Sequence, residues 1–403
     1  MTGASMLRLE NPIQNYAWGS HSAISKLLGS ASPSEKPEAE LWLGAHTKAP
    51  SRVLPGRESL VTLIEREPAR LLGTELEARY GACLPFLLKV LAAETPLSLQ
   101  AHPTIAQAQT GFAAEEAARV PLDSAERNYK DKNHKPELLC ALTPFAALCG
   151  FRNIADTLEL FRALRAPLVS YVIEILEQLP TEAGLAQVFS TLMTASPERR
   201  AELAQQTLDR CTELAAFEGP FQKEFSWAVR IGVLYPRDIG IVTALLLNLV
   251  RLAPGEAIYL PAGNLHAYLQ GMGMEIMANS DNVLRGGLTP KHVDVAELTR
   301  VLDFRAGPAS VLHGEAHGGA RIYRTPAPEF ELQSFELYVS EERTVTDRRG
   351  PEIVFCEHGS VELECARDRQ PLAQGQALFI AAAEPGYVIR GEGRLFRASV
   401  GRS

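Results

Sequence analysis

Two stretches of this chain spell the same strand, and that self-similarity limits the fold more than any other feature. Pro254-Gly255-Glu256-Ala257-Ile258-Tyr259-Leu260-Pro261-Ala262-Gly263-Asn264-Leu265-His266 aligns without a gap with Gln374-Gly375-Gln376-Ala377-Leu378-Phe379-Ile380-Ala381-Ala382-Ala383-Glu384-Pro385-Gly386. In each copy a Gly turn feeds a short apolar strand, the mark of one supersecondary unit used twice. Chance likeness between two buried strands after turns is the competing explanation. Where the first copy has Pro261 and His266, the second has Ala381 and Gly386. Any chemistry carried by His266 is therefore absent from the C-terminal copy.

The repeat predicts a mainly β protein: two jelly-roll β-barrel domains of the cupin kind with an α-helical domain inserted. From Asn11 to about Arg152 short apolar runs alternate with Pro and Gly turns, as in Glu40-Leu41-Trp42-Leu43-Gly44, which predicts strands. A helix is expected between Pro103 and about Val120. Residues 157–164, 172–179 and 185–193 place apolar side chains three and four apart, the period of amphipathic helices, and Pro167, Pro180 and Pro197 fall where those helices should stop. Strand texture then returns, broken by Asp294-Val295-Ala296-Glu297, the capping-box order that opens a short helix. The expected domains are 1–152 with 248–310, including a helical excursion near 103–130; the inserted helices, 153–247; and 311–403.

Composition narrows the function. The chain has 403 residues, more than a single core usually supports, so several domains are expected. It carries 40 Lys and Arg against 48 Asp and Glu, net charge -8, with no basic block, which argues against nucleic acid as a partner. The six cysteines include no C-x-x-C pair and follow no apolar leader, so reduced thiols and a cytoplasmic location are expected. No apolar stretch approaches the ~20 residues of a membrane span. A monomer is expected.

Three segments carry candidate chemistry. In Pro96-Leu97-Ser98-Leu99-Gln100-Ala101-His102 the period of a strand puts Ser98, Gln100 and His102 on one face and the apolar residues on the other. In Asn133-His134-Lys135-Pro136-Glu137 the proline forces extended backbone and places Glu137 at a strand entry. After Pro261-Ala262-Gly263, His266, Tyr268 and Gln270 share a face, and Gly271 to Gly273 offers a tight return that would bring Glu275 and Asn279 back on a neighbouring strand. Each segment alone fits a solvated polar edge or a hydrogen-bonded histidine. Together, Gln100, His102, Glu137 and His266 supply two imidazoles, a carboxylate and an amide oxygen, a set suited to Zn2+ or a similar divalent ion. Arg285, in Asp281-Asn282-Val283-Leu284-Arg285-Gly286-Gly287, is read as a turn residue beside glycines that let a ligand approach the backbone.

Gln14-Asn15-Tyr16-Ala17-Trp18-Gly19, the 39–46 and 84–91 segments, Pro96 to Pro103, Asn133 to Glu137, Pro261 to Tyr268 and Asn279 to Lys291 together resemble the type I phosphomannose isomerases. The resemblance spans most of the chain to about Val293. It implies a metal-dependent enzyme interconverting mannose 6-phosphate and fructose 6-phosphate through a cis-enediol, acting on a small phosphorylated sugar. It puts Gln100, His102, Glu137 and His266 at the family's zinc positions and Arg285 at its active-site arginine. Lys89 and Ser98 become candidates to hold phosphate or hydroxyl groups, Trp18 to shape the sugar pocket, and Glu275, Lys135 and His134 for the base. Arg285 is open to two roles, gripping phosphate or stabilising the enediolate. A metal cupin that oxidises its substrate or acts on another sugar, and a non-catalytic sugar-binding cupin, are the rival readings.

Overall fold

The computed structural model describes residues 5–402 and shows a mixed fold rather than a mainly β one: 12 α-helices and 22 strands among the described residues. Two large antiparallel sheets of 11 strands each, not closed barrels, form the framework. The C-terminal sheet recruits the start of the chain: Met6–Glu10 pairs antiparallel with Ala377–Ile380 on one side and with Arg52–Val53 on the other.

The repeat is visible in the backbone. Ala257–Leu260 and Ala377–Ile380 are both strands, entered through Gly255 and Gly375 at φ of 87° and 78°. That left-handed conformation costs a side-chain-bearing residue about 1 kcal/mol or more, which is why glycine opens both copies.

Helices fill residues 154–245, from Ile154–Leu164 to Gly240–Leu245. Pro180 follows the helix Ser170–Gln178, as a stop should. Pro197 instead opens the helix Pro197–Ala215: Ser196 Oγ accepts the Arg199 amide, and proline suits a first helical position because no intrahelical partner awaits its missing N–H. Pro167 begins a single 3-10 turn. The excursion near 103–130 is the helix Ile105–Ala117, fixed by a Thr104–Gln107 capping box. Asp294 likewise caps Val295–Val301, but the Glu297 side chain turns to Tyr129 and Arg300 instead of completing the box.

The helical segment packs on the back of the sheet that carries the site. Phe161, Val188, Phe189 and Ile231 share one buried core with Leu99, Ala101, Ala267 and Leu284, the alternate residues of the site strands. Each Val, Leu, Ile or Phe among them contributes about 1.5–3 kcal/mol when removed from water, so the apolar faces of these strands are held rigidly while their polar faces look the other way.

The expected return at Gly271 does not occur. His266–Ala278 is one continuous strand of 13 residues. Its first part pairs with Phe145–Phe151, and from Gly271 onward it pairs with Phe86–Ala93 and Glu137–Ala141. Gly271 sits at φ of 128°, where a Cβ would come 2.7 Å from the Pro144 carbonyl oxygen. The glycine therefore bends a strand from one set of neighbours to another instead of closing a hairpin.

Candidate active site

His102, directly after the strand Leu99–Ala101, and His266, the first residue of His266–Ala278, reach the site from different parts of the sheet, and each is oriented by a backbone carbonyl. His102 Nδ1 lies 2.7 Å from the Asn282 oxygen, and His266 Nδ1 lies 2.9 Å from the Asn264 oxygen. A carbonyl can only accept, so Nδ1 carries the proton in both rings and each Nε2 is left with a lone pair. Those Nε2 atoms stand 3.3 and 3.4 Å from the two oxygens of Glu137. Both Nε2 atoms and Glu137 Oε2 are buried without a hydrogen-bond partner. Such groups are costly to leave unpaired, and three of them converging, with donor atoms all within 4.8 Å of one another, could hold a metal ion.

The charge states fit that use. Burial, aided by the Lys135 ammonium, pushes His102 down to about 4, so the imidazole is neutral near pH 7. Burial works to raise Glu137, but Lys135 and His102 outweigh it, and the carboxyl lies well below its usual range. Lys135 Nζ is 3.0 Å from Glu137 Oε1. Gln100 is the cross-strand neighbour of both His266 and Arg285, and it lines the same cavity. Arg285 belongs to the strand Leu284–Gly287 rather than to a turn, because its backbone pairs with Gln100.

Beside this cluster runs a cross-strand row, Trp42, Lys89 and Glu275. Lys89 Nζ donates to Glu275 Oε2 at 2.9 Å and lies 3.6 Å from Glu40, while Trp42 Nε1 donates to Glu40 at 2.7 Å. Tyr268 Oη donates to the other Glu275 oxygen at 2.8 Å. Burial raises the Glu275 carboxyl above its usual range even though Lys89 opposes the shift. Burial would lower Lys89, but Glu275 and Glu40 outweigh it and keep the ammonium charged. Tyr268, pushed up by burial and by Glu275, stays a phenol.

Gln100, Glu137, Lys135, Glu40, Trp42, Lys89, Tyr268 and Glu275 border one cavity of about 460 Å³, together with Ser98, Trp18, Arg285 and Lys291, while His102 and His266 lie behind its wall against Glu137. Trp18 stacks on Tyr16 with ring centres 5.7 Å apart. Arg285 is half-buried, which lowers its pKa, and among the described residues neither Arg285 nor Lys291 has a side-chain hydrogen bond or ion pair. His134 stands apart: it does not border the cavity, and its Nε2 faces Glu329 at 3.0 Å. Lys291, Glu40, Trp42 and Tyr235 were not singled out from sequence. Lys291 follows the Gly286-Gly287 pair by four residues and could have been flagged with Arg285. Tyr235, whose hydroxyl donates to the Pro96 carbonyl, ends the helix Gln222–Leu234 far away in sequence and left no local signal.

A family model described as phosphomannose isomerase type I, catalytic domain, matches residues 6–154. The mannose-6-phosphate isomerase of Escherichia coli strain K12 is 41% identical over 400 residues, covering 97% of this chain and 99% of that one. This chain belongs to the type I phosphomannose isomerase family. The human mannose-6-phosphate isomerase, 33% identical over 414 residues and covering 95% of each chain, shows how far the family extends. Among solved structures, a zinc-bound mannose 6-phosphate isomerase superposes with a TM-score of 0.89 at 40% identity, covering 99% of this chain and all of that one. A variant of the Salmonella typhimurium phosphomannose isomerase gives 0.90 at 40% identity over the same shares. The six cysteines are unbridged, and no helix among the described residues is long and apolar enough to cross a membrane.

Proposed function

We infer that the chain interconverts D-mannose 6-phosphate and D-fructose 6-phosphate, using one divalent ion, zinc as in the bound relatives. The observation that carries this reading is the set of orphaned donors on His102, Glu137 and His266 beside the buried Glu275. His102, Glu137 and His266 would hold the ion, with Gln100 as fourth ligand. When bound it supplies polarisation of the sugar's oxygens.

The remaining chemistry belongs to the protein. Glu275 takes the proton from C2 and returns it to C1 across the cis-enediol, while the C2 hydroxyl proton passes to the C1 oxygen; its raised carboxyl and low exposure suit a base working near neutrality. Tyr268 and Lys89 fix both carboxylate oxygens in place. Lys135 is committed to Glu137 and His134 lies outside the cavity, so Glu275 takes precedence over both. Arg285 and Lys291, cations without an acidic partner, grip the phosphate dianion, and Ser98 adds a hydroxyl. Trp18 walls the sugar end.

The division we propose is 1–152 with 248–310, 153–247 and 311–403, with Met6–Glu10, Arg52–Val53 and Glu58–Ser59 lent to the last sheet. Each sheet is an opened jelly roll; the long strand that changes neighbours at Gly271 supports this, since such a fold needs strands that cross between layers. The protein acts as a cytoplasmic monomer. The test is formation of fructose 6-phosphate from mannose 6-phosphate by the purified protein before and after chelation. Activity lost on chelation and restored by zinc supports the reading; no product under any metal condition refutes it.

A further inference from the structure

We propose that a second cleft, between the helix Gln222–Leu234 and the edge of the site sheet, binds an organic diphosphate that carries an aromatic ring. The cleft encloses about 720 Å³, within the range of small-molecule sites and larger than an inorganic anion needs. One wall is the helix face formed by Lys223, Ser226, Trp227 and Arg230, spaced three and four apart. Facing it are Phe145, Arg251 and Gln270.

The charge is unbalanced. Three cations meet one carboxylate, Glu256, and that carboxylate is engaged: Oε2 accepts the Ala253 amide at 2.8 Å and Oε1 faces His313 at 3.4 Å. Among the described residues neither Lys223 nor Arg251 has a side-chain hydrogen bond or ion pair. Arg230 is held in place, its Cζ 4.0 Å over the Trp227 ring and its Nη2 donating to Gln270 at 3.0 Å. A concave positive site concentrates anions even in a chain of net charge -8. A diphosphate, with about three negative charges, matches the three cations, and the partly exposed Trp227 takes the ring.

This cleft is separate from the first cavity. The wall between them is Phe145 packed edge-on against Tyr268, ring centres 5.4 Å apart. Gln270 nevertheless lies on the strand that carries His266, so an occupant would touch an element of the catalytic framework.

Calorimetric titration of the full-length protein with adenosine diphosphate, pyrophosphate and adenosine tests the proposal. One site for adenosine diphosphate is expected, with pyrophosphate weaker and adenosine silent. Saturating mannose 6-phosphate should not displace the ligand. The double substitution Lys223→Ala with Arg251→Ala, at exposed positions outside the catalytic cavity, should weaken binding about a hundredfold, two charged hydrogen bonds at roughly tenfold each, and leave isomerisation unchanged. Absence of binding at millimolar adenosine diphosphate, displacement by mannose 6-phosphate, equal affinity for pyrophosphate, or unaltered binding by the double variant would each overturn it.

Discussion

Tyr268 and Glu275 lie an odd number of residues apart on one strand, yet the Tyr268 hydroxyl donates to Glu275 Oε1 at 2.8 Å. On a regular strand an odd separation puts two side chains on opposite faces. Here the pairing register shifts between Tyr268 and Gln270, and the strand bends at Gly271. The irregularity reverses the alternation and turns Glu275 into the cavity that Tyr268 already borders. Glu275 and Tyr268 thus meet on one side of the strand because its geometry is broken between them.

Gly271 is where this arrangement should be most fragile. Gly271→Ala would drive a Cβ against the Pro144 carbonyl at a backbone conformation that L-residues avoid, costing about 1–3 kcal/mol. Thermal unfolding should show the loss, and turnover should fall with it as Glu275 shifts. A variant as stable and as active as the parent would mean the bend is incidental.

Glu275→Gln keeps the shape and the hydrogen bond from Tyr268 but removes the basic oxygen. Turnover should fall about 10²–10⁴-fold while bound metal is unchanged. Solvent-deuterium exchange at the C2 position of mannose 6-phosphate should fall in parallel. Wild-type exchange in this variant would move the proton transfer to another group.

Arg285→Ala removes one of the two unpaired cations of the cavity. The KM for mannose 6-phosphate should rise about tenfold or more with metal retained, since one charged hydrogen bond to the phosphate is lost. A fall in kcat at unchanged KM would instead assign Arg285 to the developing enediolate. Unchanged kinetics would remove it from the site.

How much of this was legible depended on sequence distance. Gln100 and His102 could be placed on one polar face from strand alternation alone, and Glu137 at a strand entry from Pro136. The loss of His266 from the second copy followed from the repeat. What escaped the sequence was long-range: that Met6–Glu10 completes a sheet whose partner strand begins at Ala377, that Tyr235 reaches the cavity from the helical segment, and that Gly271 bends rather than reverses the chain. A glycine with positive φ serves a hairpin and a bend equally well, and only the neighbouring strands decide between them. His134 looked equivalent to Lys135 in sequence, but the extended backbone before Pro136 turns adjacent side chains apart, and His134 meets Glu329 instead.

Asp281, at the rim of the cavity, links pH to stability. Burial works to raise its carboxyl, but hydrogen bonding to His46 and the Lys48 ammonium at 3.0 Å outweigh it and hold it well below the usual range. A carboxyl depressed in the folded state binds fewer protons there than in the unfolded chain, so its stabilisation is complete above the unfolded value of about 4 and is lost as pH falls below it. The unfolding free energy of wild type minus that of Asp281→Asn should be about 1–2 kcal/mol at pH 7 and shrink toward zero in acid. A difference independent of pH would show that the ion pairs contribute nothing.

The most direct test is titration of the chelated protein with zinc, following bound metal and fructose 6-phosphate formation together. Activity should rise in proportion to zinc and level off at one ion per chain, and His266→Ala, its register partner Gln100 intact, should neither bind that ion nor turn over. Full activity in protein free of metal, or an unchanged zinc stoichiometry in His266→Ala, would contradict the account.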